Sequence, residues 1–156
     1  MVDTPIIGPN HVTVLIAEDD DGHADLIMEL LREVGVNNPL VRFRDGQEVL
    51  DFLRGENGDT KLKPGYRYLL LLDIRMPRVN GVEVLQQMKA HADWKEIPVI
   101  MLTTTDDPRE IQACYQYGCN CYITKPVQFG QFATVLRQLG LFMMIMRLPQ
   151  VKAPLP

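Results

Sequence analysis

The chain of 156 residues is 46% hydrophobic and 23% charged with a net charge of −4, which fits one globular domain able to bury its own core. Its acidic balance, with a pI of about 5.3, argues against a basic nucleic-acid-binding stripe. The apolar run near the end, residues 141–146, is far too short to span a bilayer.

Residues 1–10 contain Pro5, Gly8 and Pro9 and lack the basic start and apolar core of a signal peptide. They are read as a flexible tail, and the protein as cytoplasmic. Residues 11–17 then form a buried strand that stops abruptly at Glu18, Asp19, Asp20 and Asp21. Asp21 or a neighbour can cap the next helix, which carries Ala24, Ile27, Met28, Leu31 and Val34 inward and stops at Gly35. Four consecutive acids cannot all be caps.

Residues 40–44 are a short second strand. Asp45 and Glu48 make an Asp version of the capping box, and Val49, Leu50, Phe52 and Leu53 give that helix its core face. Residues 55–67, with Gly55, Gly58, Pro64 and Gly65, read as a long exposed loop. Four leucines, residues 69–72, then run into Asp73 as a strand buried on both faces. A helix over residues 82–91 follows, and Trp94 is expected to pack beneath the next loop.

Residues 98–102 are a fourth strand, with Thr103, Thr104 and Thr105 directly after it. Asp107 and Pro108 read as N-cap and first residue of a helix that stops at Gly118. Residues 119–124 are a fifth strand meeting Lys125 and Pro126, and a last helix starts near Gln128, weakened by Gly130 if that residue lies in its interior. Cys114, Cys119 and Cys121 are an odd count without framework spacing, which fits reduced thiols. Strands alternating with helices predict an α/β fold, a doubly wound five-stranded parallel sheet with helices on both faces.

In such sheets the carboxyl ends of the strands form the ligand crevice. Glu18, Asp19 and Asp20 from the first strand, Asp73 from the third, Thr103 from the fourth and Lys125 from the fifth converge there. Crowded carboxylates repel unless a cation lies between them, and an all-oxygen set with room for water suits Mg²⁺. A lysine and a threonine hydroxyl opposite the ion would complete a cradle for a phosphoryl group.

Glu18-Asp19, Asp73 with Met76-Pro77 and Gly81, Thr103 and Lys125-Pro126 resemble, in order and spacing, the receiver domain of two-component response regulators over about residues 12–140. The longer loop before Tyr68, Ile97-Pro98-Val99 and residues 120–125 resemble more closely the small stand-alone regulators of cyanobacterial phytochromes. The resemblance implies a flavodoxin-like sheet of order 2-1-3-4-5. It implies that residues 11–148 are the receiver domain and residues 149–156 a second tail.

By the same resemblance Asp73 accepts a phosphoryl group from a sensor histidine kinase, here of bacterial phytochrome type. Asp19, Asp73 and the backbone carbonyl of Arg75 would bind Mg²⁺, with Glu18 contributing directly or through water. Lys125 would pair with the phosphoryl oxygens, across a cis Lys125–Pro126 bond in this family. Thr103 and Tyr122 would be the switch residues, and Thr105 would lie where access of the hydrolytic water is tuned. The protein would then be a phosphoacceptor that signals to a partner protein, not an enzyme acting on other substrates.

A phosphatase is the alternative suggested by Asp19 and Asp21, and a receiver used only for binding is a third; the first leaves Asp73 unexplained and the second leaves the full set of contacts unused. Residues 139–148, rich in Phe142, Met143, Met144, Ile145 and Met146, predict a homodimer contact, or else simply the closing of the core.

Overall fold

The computed structural model describes residues 12–151 apart from 57, 59 and 60. The tail expected over residues 1–10 therefore lies outside the described residues. Along the chain come β1 (Val12–Ala17), α1 (Asp21–Glu33), β2 (Leu40–Phe43), α2 (Gly46–Arg54) and β3 (Arg67–Leu72). They are followed by α3 (Gly81–Ala90), β4 (Val99–Thr103), α4 (Pro108–Tyr117), β5 (Cys121–Thr124) and α5 (Phe129–Met143). The strands form one parallel sheet in the order β2-β1-β3-β4-β5.

The four leucines explain why β3 lies at the centre. Because successive side chains on a strand point to opposite faces, Leu69 and Leu71 join Val14, Ile16, Ile100 and Leu102 beneath α1 and α5. Leu70 and Leu72 join Leu15, Ala17, Val99 and Met101 beneath α2, α3 and α4. A leucine so buried gains about 2 kcal/mol over an exposed one, and both faces gain alike. An amphipathic strand could not occupy this position.

Side chains cap most of the helices. Asp20, Asp45, Asn80 and Asp107 accept backbone N–H groups of His23, Glu48, Glu83 and Arg109. Glu48 turns back to the N–H of Arg44, one residue earlier than a regular capping box would have it. Gly130 is the second residue of α5, not an interior one, so the expected weakness falls in the first turn. Gly140 is needed for a different reason: a Cβ there would lie 2.4 Å from Val34 Cγ2, so its absence lets α5 approach the end of α1.

Two expectations change. The loop before β3 is only partly exposed, because Leu62 and Tyr66 pack against the core and the Lys63 N–H donates to the Tyr68 hydroxyl. The segment expected to fray from residue 149 instead returns to the start of β3. Val151 is buried, exchanges backbone hydrogen bonds of 2.8 Å with Tyr66 and Gly65, and follows an antiparallel bridge from Gln150 to Arg67. Residues 152–156 lie outside the described residues.

The apolar stretch after Gly140 is only partly buried. Met143, Met146 and Leu148 pack against the core under α1 and α5. Leu141, Phe142, Met144 and Ile145 are exposed, Ile145 to 76%. Trp94 is buried with its ring stacked on His91 at 3.7 Å. The three cysteines are free thiols, and among the described residues no helix is long and apolar enough to cross a membrane.

Candidate functional site

Backbone hydrogen bonds just past the regular strands set the crevice. Glu18 N–H donates to Phe43, Asp73 N–H to Ala17 and Lys125 N–H to Thr103, at 3.0, 3.1 and 2.7 Å. Each site residue is thus held by the neighbouring strand rather than by a free loop. Gly81 closes the floor: its N–H donates to Ile74 at 2.8 Å, and a Cβ on it would stand 2.0 Å from the Asp73 carbonyl oxygen. Only glycine lets α3 begin this close to Asp73.

Glu18, Asp73, Thr103 and Lys125 are all buried. The Lys125 ammonium donates to Glu18 Oε2 at 2.8 Å and to Asp73 Oδ2 at 3.1 Å, while Asp73 Oδ1 accepts the Ile74 N–H at 2.7 Å. Burial, and then the hydrogen-bonded Asp73 beside it, push the Glu18 carboxyl up to about 8. Burial pushes Asp73 the same way, but its hydrogen bond with Glu18 and the Lys125 charge outweigh it and hold Asp73 below the ordinary carboxylate range. Of the two carboxyls, Glu18 is therefore the one that takes up a proton first as pH falls.

Asp19 is exposed at the rim, and one oxygen from each of Glu18, Asp19 and Asp73 falls within 4.8 Å of the others. This all-oxygen set fits a hard divalent cation. Among the described residues it is the one such cluster of His, Cys, Asp and Glu side chains. The Thr103 hydroxyl is buried without a hydrogen-bond partner. A polar atom in that state is costly unless it meets a ligand, and an oxyanion in the crevice would satisfy it.

The remaining acids have structural partners. Asp20 caps α1, and Asp21 turns away to Arg42 Nη1 at 2.7 Å, outside the crevice. That leaves the Asp19 and Asp21 pair without the convergence a phosphatase would need. Arg42 and His23 are the residues sequence reasoning passed over. Arg42 donates from Nε and Nη2 to the Glu18 carbonyl at 3.0 and 2.9 Å, fixing the acidic turn. His23 Nδ1 lies 3.2 Å from Glu18 Oε1. The signal for His23 was positional, since the third residue of a helix begun by an N-cap folds back over the preceding strand end.

Arg75 lies two residues past Asp73, with its guanidinium 3.5 Å from Glu110 of α4. Glu110 also accepts from the Thr105 hydroxyl, and the Tyr122 hydroxyl donates to the Thr105 carbonyl at 2.7 Å. The Tyr122 N–H donates in turn to the Tyr115 hydroxyl at 3.0 Å. The loop after β4 is thereby tied to β5, to α4 and to the loop that carries Asp73. The expected cis Lys125–Pro126 bond is not found: no peptide among the described residues is cis, and this one has the isomer that X–Pro bonds favour by about 0.5–1 kcal/mol.

A sheet of order 2-1-3-4-5 with two acids, an aspartate, a threonine and a lysine at its carboxyl edge defines a class of signalling domain. The chain belongs to the response regulator receiver domain family, whose model matches residues 14–137. It is 35% identical to response regulator Rcp1 of Synechocystis over 112 residues, 72% of this chain and 75% of Rcp1. A receiver domain from Rhodospirillum rubrum superposes with a TM-score of 0.85 at 43% identity, over 90% of this chain and 99% of that one. The Mn²⁺-bound form of Rcp1 gives 0.79 at 30% identity, over 88% and 98%. The phosphorylated cyanobacterial phytochrome response regulator RcpA gives 0.78 at 30%, over 89% and 99%.

Proposed function

We propose that the protein accepts a phosphoryl group on Asp73 from the phosphohistidine of a sensor kinase, in a Mg²⁺-dependent reaction, and signals through the resulting change in shape. The observation that carries this reading is the partnerless Thr103 hydroxyl beside the Lys125–Asp73 pair. A donor and a cation flank an ionised nucleophile in a buried crevice.

In the transfer, a carboxylate oxygen of Asp73 bonds to phosphorus as the P–N bond of the phosphohistidine breaks, its electron pair staying on the imidazole. Phosphoryl transfer needs alignment and charge neutralisation more than covalent help. Glu18, Asp19, Asp73 and the Arg75 carbonyl would hold Mg²⁺, which when bound neutralises charge on the phosphoryl oxygens. Lys125 exchanges its contact with Asp73 for one with a phosphoryl oxygen. Thr103 donates its hydroxyl to another. The new group adds about −1.5 to −2 charges. Movement of Thr103 draws on Thr105, and Thr105 is bonded to Tyr122 and Glu110, so the shift spreads to α4 and β5.

The upstream kinase is of bacterial phytochrome type, a reading supported by the likeness to Rcp1 and RcpA. The protein works in the cytoplasm as a phosphoacceptor, losing its phosphate by hydrolysis. Its exposed Leu141, Phe142, Met144 and Ile145 form a homodimer contact. To test the core of the reading, the protein is incubated with Mg²⁺ and acetyl phosphate and the product examined for an acid-stable, base-labile phosphate. Label that disappears in Asp73→Asn supports it; label retained in that variant, or none in the wild type, overturns it. For the dimer, sedimentation of Phe142→Asp/Ile145→Asp should give a monomer where the wild type dimerises.

A further inference from the structure

His23 has no part in the reaction just described, yet it touches the acidic end of the site. Its backbone N–H donates to the capping Asp20 Oδ1 at 2.9 Å, which folds the first turn of α1 over the end of β1. Its ring meets the buried Phe132 of α5 edge-on, 5.7 Å between centroids and 61° between planes, so packing from a second helix sets its direction. Its Nδ1 lies 3.2 Å from Glu18 Oε1 and 3.4 Å from the Lys125 ammonium.

We propose that His23 is a positioning residue for the metal-binding Glu18, its Nδ1–H holding Oε1 in place as Lys125 turns from Asp73 toward the phosphoryl group. The inference rests on the divalent-cation reading above. Each oxygen of Glu18 has its own partner, Oε2 the Lys125 ammonium and Oε1 the His23 Nδ1. During phosphorylation the ammonium turns from Asp73 to the new oxyanion and is shared between that group and Glu18, so its hold on Oε2 weakens while the Oε1 contact is untouched.

Glutamate makes such an anchor necessary. It has one more rotatable bond than aspartate, and that freedom must be frozen each time the ion binds. A donor fixed by two helices removes the freedom beforehand. Ionised Glu18 requires the hydrogen on Nδ1, since a lone pair there would face the carboxylate. Lys125 then directs its protons to the two acids and none to the ring.

The test is calorimetric titration of Mg²⁺ into the wild type, His23→Phe and His23→Asn, with acetyl phosphate labelling of each at saturating Mg²⁺. Phe fills the space against Phe132 but has no donor. Asn carries an N–H close to the position of Nδ1. The Mg²⁺ dissociation constant should rise about tenfold in His23→Phe and return most of the way in His23→Asn, the scale seen when a group orienting a metal ligand is removed. The labelling rate at saturating Mg²⁺ should stay within about twofold throughout. Equal constants in all three proteins, or an Asn variant as weak as Phe, would overturn the role of His23 alone. A wild type that takes up no Mg²⁺ would overturn the cation reading together with it.

Discussion

The Lys125 ammonium lies 2.8 Å from Glu18 Oε2, and both side chains are 2% exposed. The pair is a buried lysine–carboxyl contact, charged on both sides once Glu18 loses its proton, in the place a phosphoryl group would claim. Removing one partner of such a contact is far more costly than the contact is worth, because the other is left buried without compensation. Lys125→Met should therefore lower stability by about 3 kcal/mol. Urea melts should show the larger loss at pH 9 and a smaller one at pH 6, where Glu18 holds a proton. The same variant should label poorly with acetyl phosphate.

Metal-free protein should lose stability as pH rises. Glu18 goes from an ordinary 4.5 to about 8 on folding, so between those values the native state binds more protons than the unfolded chain. Its contribution is complete below about 4.5 and lost as pH rises through about 8. Asp73 is shifted the other way, below 3.8, so its contribution is present above that value and lost as pH falls further. Thermal melts in EDTA from pH 5 to pH 9 should fall across the window. Mg²⁺ competes with the Glu18 proton and should flatten the slope; a melting temperature that climbs with pH in EDTA would refute the Glu18 assignment.

The two adjacent acids Asp19 and Asp20 should behave differently. Asp20→Ala removes the cap of α1 and should cost about 1 kcal/mol while leaving Mg²⁺ binding measurable. Asp19→Asn should abolish Mg²⁺ binding by calorimetry, with little effect on the urea midpoint.

Gly81→Ala should impair both folding and chemistry. The added methyl would meet the Asp73 carbonyl at 2.0 Å, and that atom is backbone, which cannot rotate aside. Overpacking of this kind costs about 1–3 kcal/mol. A urea midpoint unchanged from wild type would show that α3 can start elsewhere.

Tyr122→Phe deletes the 2.7 Å bond to the Thr105 carbonyl and keeps the ring. A loss of about 1 kcal/mol is expected. Labelling of Asp73 should continue, because the hydroxyl touches the loop after β4 and not the crevice.

The strands and the crevice were legible because four leucines, an abrupt row of acids and a Lys-Pro step each mark the end of a strand, while the strand order followed only from the family resemblance those residues carry. Periodicity located Asp73, Thr103 and Lys125 without help from long-range contacts. His23 and Arg42 were not legible in that way. Each acts across a distance in the chain, Arg42 from the edge strand to the Glu18 carbonyl and His23 through the orientation Phe132 imposes. Val151 was hidden for a related reason: a Pro-rich end carries no pattern, and only its pairing with Tyr66 shows it to be anchored.

That anchor has a practical use. Gln150 bridges to Arg67, the first residue of β3, and Asp73 follows the last. At about 3.3 Å per residue the two positions stand roughly 20 Å apart along one straight strand. A fluorophore attached at residue 150 would sit at the far pole of the domain from the acceptor, on a rod too stiff to bend, and could report on distance to a docked kinase without touching the reaction it measures.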